Sequence, residues 1–119
     1  MDFSMFQGDS KRVHFTLKRA DGTPLDITGG DIRWQASKLK APGVFSSTPV
    51  LQKTIGSGVE VVDSFAGLVT VTLNPQDTNQ ISGSFYHELE AVDFDGDVAT
   101  VYAGEFQVKK ALIKPPLTP

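Results

Sequence analysis

The feature that most constrains this chain is an alternation of apolar and polar residues, repeatedly cut by glycine and aspartate. In Val13-His14-Phe15-Thr16-Leu17-Lys18 the odd positions are apolar and the even ones polar. A period of two places successive side chains on opposite faces of a strand, so Val13, Phe15 and Leu17 face a core. The same rhythm returns in Ile32, Trp34 and Ala36, with Arg33, Gln35 and Ser37 outward, and again in Val69, Val71 and Leu73. Between the runs stand Asp21-Gly22, Gly29-Gly30, Gly56-Ser57-Gly58 and Asp95-Gly96, which supply the backbone freedom that tight reversals need.

Residues 39–48 contain proline, serine and glycine and read as a loop, followed by short strands over 49–55 and 59–62. Leu25-Asp26-Ile27 reads as a short return. Asn74 is a good N-cap and Pro75 suits the first helical position, so one helical turn is expected from Pro75 to about Gln80. Residues 84–94 and 98–108 form the clearest hairpin. The expected fold is an all-β, immunoglobulin-like antiparallel sandwich of seven to eight strands with that one helical turn. Residues 10–110 make the sandwich, 1–9 an N-terminal arm and 111–119 a proline-rich tail.

At 119 residues, one such domain buries enough surface to hold itself together without staples. It has no cysteine, which excludes disulfides, thiolate zinc sites and a cysteine nucleophile. The net charge of −3 argues against nucleic acid as the main partner, because phosphate binding needs a concentrated basic surface. No apolar run approaches a membrane span, and Met1-Asp2-Phe3-Ser4-Met5-Phe6 lacks the basic and apolar regions of a signal peptide. Synthesis in the cytoplasm is therefore expected.

Candidate chemistry is sparse. Asp93, Asp95 and Asp97 surround Gly96, but an EF-hand loop needs more oxygen ligands and flanking helices, so turn chemistry is the better reading. A zinc site needs more ligands than the two histidines, His14 and His87. His14 falls on a polar face, while His87 is in register with Phe85 and Leu89 and is expected to be partly buried with a hydrogen-bond partner. Glu88, Glu90 and Glu105 are read as solubilising strand-face acids rather than glycosidase carboxylates. No catalytic residue, metal or cofactor is expected.

Association has more to offer. Phe3, Met5 and Phe6 form an apolar stretch outside the regular strands, closing the chain's own core or reaching into a neighbour. Pro115, Pro116 and Leu117 belong to a tail that reads as a stiff spacer, a docked segment or a weak SH3-type ligand. Phe45, Tyr86 and Tyr102 are the aromatics that sugar stacking would use. Tyr86 and Tyr102, both in the last hairpin, are expected to be cross-strand neighbours, and packing explains them better than sugar binding.

The motifs also carry a resemblance. Phe6-x-Gly8-Asp9-Ser10 precedes the Val-x-Phe-x-Leu strand, and Asp21-Gly22-Thr23-Pro24-Leu25-Asp26-Ile27-Thr28-Gly29 follows. Gly67-x-Val69-Thr70-Val71-Thr72-Leu73, Pro75 to Thr78 and Ile81 come next, then Gly83-Ser84-Phe85-Tyr86-His87-Glu88-Leu89. Asp93-x-Asp95-Gly96, Thr100 to Gly104 and Phe106-x-Val108 close the series. In this order, from Phe6 to about Val108, the chain resembles the small immunoglobulin-like structural proteins of tailed bacteriophages. It is similar to the N-terminal domain of phage baseplate upper proteins and to short prophage tail-associated proteins.

The resemblance implies a virion building block of tail, baseplate or neck, made in the host cytoplasm and docking on other phage structural proteins or on copies of itself. It implies no catalysis, nucleic acid or membrane. Because the chain ends at Pro119 with no receptor-binding region behind the domain, a standalone connector or adaptor is expected. The alternative is a carbohydrate-binding, host-adhesion or capsid-decoration module.

Overall fold

The structure, a computed structural model, describes residues 1–113; the expectations placed on Pro115, Pro116 and Leu117 lie outside the described residues. Eight strands run in the order β1 (Phe3–Phe6), β2 (Lys11–Thr16), β3 (Asp31–Ala41), β4 (Val44–Ile55), β5 (Gly58–Asp63), β6 (Leu68–Leu73), β7 (Gly83–Val92) and β8 (Val98–Lys109). One helical turn, α1 (Pro75–Thr78), separates β6 from β7.

Hydrogen bonding links the strands as β1-β8-β7-β3-β4-β5-β6-β2. The series folds over on itself. Phe15 of β2 meets Tyr102 of β8 at 5.1 Å between ring centroids, although the two strands lie far apart in the hydrogen-bonded order. The layers are β1-β8-β7-β3-β4 and β5-β6-β2, whose strand pairing connects where β4 runs into β5 through Thr54↔Gly58 and Ile55↔Val59. Gly56 and Gly58, at φ 82° and 102°, allow that strand to change layers. The second, sixth and fifth strands in one sheet and the fourth, third, seventh and eighth in the other form the immunoglobulin arrangement. The sandwich is all-β as the alternation predicts, with two parallel pairings, β1 with β8 and β4 with β5, where only antiparallel ones were expected.

Between the layers Trp34, Phe15, Phe85, Phe106, Leu17, Ile32, Leu73 and Leu89 are fully buried. The inward set of each alternating run is therefore the core. At α1, the Asn74 amide donates to the Asp77 carboxylate at 2.7 Å, and Lys53 Nζ of β4 pairs with the same carboxylate at 2.8 Å. Thr78, also buried, accepts the Gly8 amide at 2.9 Å and so ties the helical turn to the segment after β1.

Three local expectations are corrected. Residues 39–48 are not a loop; β3 and β4 continue through them into a tight turn at Pro42-Gly43. Gly43 supplies the positive φ of 74° that the turn requires, and Pro49 falls at a register shift, where a missing amide donor breaks no regular ladder. Leu25-Asp26-Ile27 forms no strand; only the single bridge Lys18↔Pro24 stands there, although Ile27 is buried.

Residues 3–6 are a regular strand rather than a segment outside the strands. They pair in parallel with β8 from Phe3↔Phe106 to Phe6↔Lys109. Phe3 stacks on Phe106 at 4.5 Å, Met5 is buried, and Phe6 turns outward. The arm is thus the edge strand of its own domain. Met5→Ala is expected to cost about 2–4 kcal/mol in denaturant unfolding, as for other buried truncations. Phe6→Ser, on the outer side of the same strand, should stay within about 0.5 kcal/mol.

Candidate functional site

A polar concavity lies on the outer face of β3, β4 and β7. Because Trp34 and Ala36 point inward, Arg33, Gln35 and Ser37 must point outward, opposite Glu90, Glu88 and Tyr86 of β7. Arg33 Nη2 pairs with Glu90 Oε1 at 2.7 Å, but both side chains are substantially exposed, so the pair contributes under about 1 kcal/mol. The Tyr86 hydroxyl donates to Glu88 Oε1 at 3.0 Å. Partial burial, then the hydrogen bond and charge of Glu88, raise the Tyr86 pKa above its ordinary value.

Phe45 reaches over from β4 and stacks on Tyr86, with centroids 4.3 Å apart and planes 14° apart. Two adjoining hollows result. One of about 250 Å³ is lined by Arg33, Gln35, Glu88 and Glu90. The other, about 120 Å³, is bounded by Gln35, Ser37, Phe45, Tyr86 and Glu88. An aromatic wall beside amide, hydroxyl and carboxylate groups suits a hydroxyl-bearing or peptide-like ligand, and each glutamate already has a partner.

Of the three aromatics proposed for sugar contact, the structure joins Phe45 and Tyr86 and separates Tyr102. Tyr86 stands opposite Glu105, whereas Tyr102 stands opposite Leu89 on the inner side of the sheet. Tyr102 packs on Phe15 and its hydroxyl donates to the Thr16 carbonyl at 2.5 Å. The expected Tyr86–Tyr102 pairing is therefore corrected. The register shift between Leu89 and Glu90, where β8 holds the extra residue Val101, turns Tyr102 to the inner face while Tyr86 stays outward.

The acidic turn is closed on itself. Asp93 Oδ1 accepts the Asp97 amide at 2.9 Å, and the Asp93 carbonyl accepts the Gly96 amide at 3.0 Å. His14 lies on β2, its Nδ1 2.9 Å from the Thr70 hydroxyl, remote from His87 in the opposite layer. Among the described residues no group of three or more metal-ligating side chains is brought together, and no helix is long and apolar enough to cross a membrane.

His87 is fully buried, and its two nitrogens are both engaged. Trp34 Nε1 donates to Nδ1 at 3.1 Å, which leaves the proton on Nε2 to be donated to the Met1 carbonyl at 2.5 Å. Phe3 meets the imidazole edge-on at 5.0 Å. Burial lowers the His87 pKa from 6.5, and a second proton on Nδ1 would face the indole N–H. Gly104 provides the room for the docked N-terminal residues, since a Cβ there would lie 2.3 Å from the Met1 carbonyl oxygen. The alternation reveals that His87 points inward; it carries no signal for the partner at Met1, which lies 86 positions away.

Neither a scan against protein-family models nor a search of curated proteins yields a match to this chain.

A depressed histidine pKa means that the unfolded chain binds more protons than the folded one just below pH 6.5. The His87 contribution is thus complete above about pH 6.5 and is lost as pH falls from there toward the lowered folded value. Denaturant unfolding from about pH 7 to 5 should show that fall, and His87→Gln, which can accept from Trp34 and donate to Met1, should flatten it. Gly104→Ala should displace residues 1–2, read as faster amide exchange along β1.

Proposed function

We propose that this chain is an architectural subunit of a tailed-bacteriophage particle, a tail, baseplate or neck adaptor that docks on neighbouring structural proteins and performs no catalysis. The observation that carries the reading is the presentation of large apolar side chains on clamped turns at one end of the sandwich. Phe65 is 72% exposed and Phe94 81% exposed, although the core is well filled without them. Their turns are held rather than loose. Asp63 Oδ1 accepts the Ala66 amide at 3.1 Å, and the Asp93 contacts brace the other turn. An isolated domain gains nothing from holding aromatics in water, whereas a docked one buries them on assembly.

The order of turn motifs shared with phage immunoglobulin-like proteins supports the particle as the place of docking. A sandwich that closes by packing, without cysteine, suits both a reducing cytoplasm and the outside of a cell. Many copies in a symmetric structure supply avidity, so single contacts can be modest.

A second reading, glycan binding for host adhesion, is favoured by the Phe45–Tyr86 stack beside Gln35 and Glu88. Stacking occupies one face of each ring, which leaves less aromatic surface for a sugar.

Mass spectrometry of purified particles from a host carrying the gene tests the first reading. The chain should be present at a copy number that is a multiple of the particle's rotational order; its absence from intact particles would overturn the assignment. A glycan array probed with the isolated protein should show no binding tighter than about 1 mM. Micromolar binding abolished by Phe45→Ala would favour adhesion instead.

A further inference from the structure

The two ends of the sandwich carry opposite charge. At one end the segments 17–30, 64–67 and 93–97 are fastened together. The Ile27 amide donates to the Ser64 carbonyl at 3.0 Å, the Thr28 hydroxyl to Ser64 Oγ at 3.0 Å, and the Leu17 amide to the Gly67 carbonyl at 2.8 Å. The Phe94 ring lies against Gly29, within 2.8 Å of where a Cβ would stand. This end gathers Asp26, Asp31, Asp63, Asp93, Asp95 and Asp97 around the exposed Phe65 and Phe94. Its cations are Lys18 and Arg19, with Asp21 beside them.

At the opposite end the segment after β1, the turn around α1 and the residues after β8 meet. Gln7 binds the Ile81 carbonyl through Nε2 at 2.9 Å, and its backbone amide donates to the Lys109 carbonyl at 2.8 Å. Lys38 Nζ donates to the Ser82 carbonyl at 3.2 Å. Here Lys11, Lys38, Lys109 and Lys110 cluster, with Lys40 near the tip of the β3–β4 hairpin. The acids are Asp9 and Asp77, the latter tied to Lys53. Exposed apolar side chains accompany the lysines: Phe6, Leu112 and Ile113. Lys109 Nζ already lies over the Phe6 ring at 5.6 Å, a cation–aromatic contact of the kind that Phe65 and Phe94 offer to an incoming lysine.

We propose that the occupant of each end is the other end of a second copy of this chain, giving head-to-tail association. Charge complementarity selects this occupant. Two acidic ends repel each other, as do two basic ends, so an isologous end-to-end dimer is disfavoured and the heterologous contact is favoured. Each contact leaves one free end of each kind, so the association grows into a ring where the rotation closes and into a column where it does not. This deepens the architectural reading and rests on it for its setting.

The test is sedimentation velocity on the full chain from about 10 µM to 1 mM. At about 50 mM salt the average mass should rise with concentration above 12.8 kDa, and about 500 mM salt should weaken association at least tenfold. The reversals Asp95→Lys with Asp97→Lys, and separately Lys109→Glu with Lys110→Glu, should each be monomeric while keeping the wild-type circular dichroism spectrum. Mixed together they should associate again, because the unaltered basic end of the first variant meets the unaltered acidic end of the second. Phe65→Ser with Phe94→Ser should weaken association at any salt.

A monomeric wild-type chain across this range would overturn the proposal, as would association that survives either reversal or a mixture that stays monomeric. A monomeric chain that is nevertheless found in particles would overturn the head-to-tail contact and leave the particle assignment standing.

Discussion

A fully buried indole must find an acceptor for its N–H, and much of this domain follows from how Trp34 does so. The acceptor is Nδ1 of His87, on the neighbouring strand of the same layer. That choice leaves the histidine proton on Nε2, which in turn needs an acceptor in a part of the core with little water. The Met1 carbonyl supplies it. The chain start is thereby drawn over Gly104, Phe3 is laid on Phe106, and β1 is set in parallel beside β8. One polar group in the core thus accounts for the placement of an edge strand that propensity alone would not specify.

The parts of the fold that were legible are those where one face of a strand is wet. In β2 from Val13, in β3 as far as Ala36 and in β7 from Phe85 every inward residue is buried and every outward one is less so, and that contrast identified Phe15, Trp34 and Leu89 as core. The hairpin of β7 and β8 was legible because Asp95-Gly96 is a strong reversal signal between long β runs. The segment over residues 39–48 was not, since its two strands extend beyond the facing layer and have little core to face. Its serines and Pro49 then resemble loop composition, and only Gly43 marks the turn. β1 was obscured for another reason: four residues are too few to establish a period, and its parallel partner lies about a hundred positions away.

The candidate sites divide along the same line. That Phe45 and Tyr86 meet depends on the register shifts in β4, which local sequence does not encode. Tyr102 took the inner face because β8 carries one extra residue, Val101, at the register shift between Leu89 and Glu90, which turns Tyr102 away from the face that Tyr86 occupies. The polarity of the whole molecule is harder still to see. The aspartates of three separate turns and the lysines near both termini become two charged ends only after the strands bring them together. A net charge of −3 conceals that separation.

The parallel pairing of β1 with β8 also has a mechanical meaning. A load drawing the start of β1 away from the end of β8 acts along the strands. It meets the pairs from Phe3↔Phe106 to Phe6↔Lys109 in shear, all at once, instead of peeling them in succession. The stacked Phe3 and Phe106 rings would have to slide across each other in the same movement. Tension along this pair of strands is therefore shared by every hydrogen-bonded pair of β1 and β8 together.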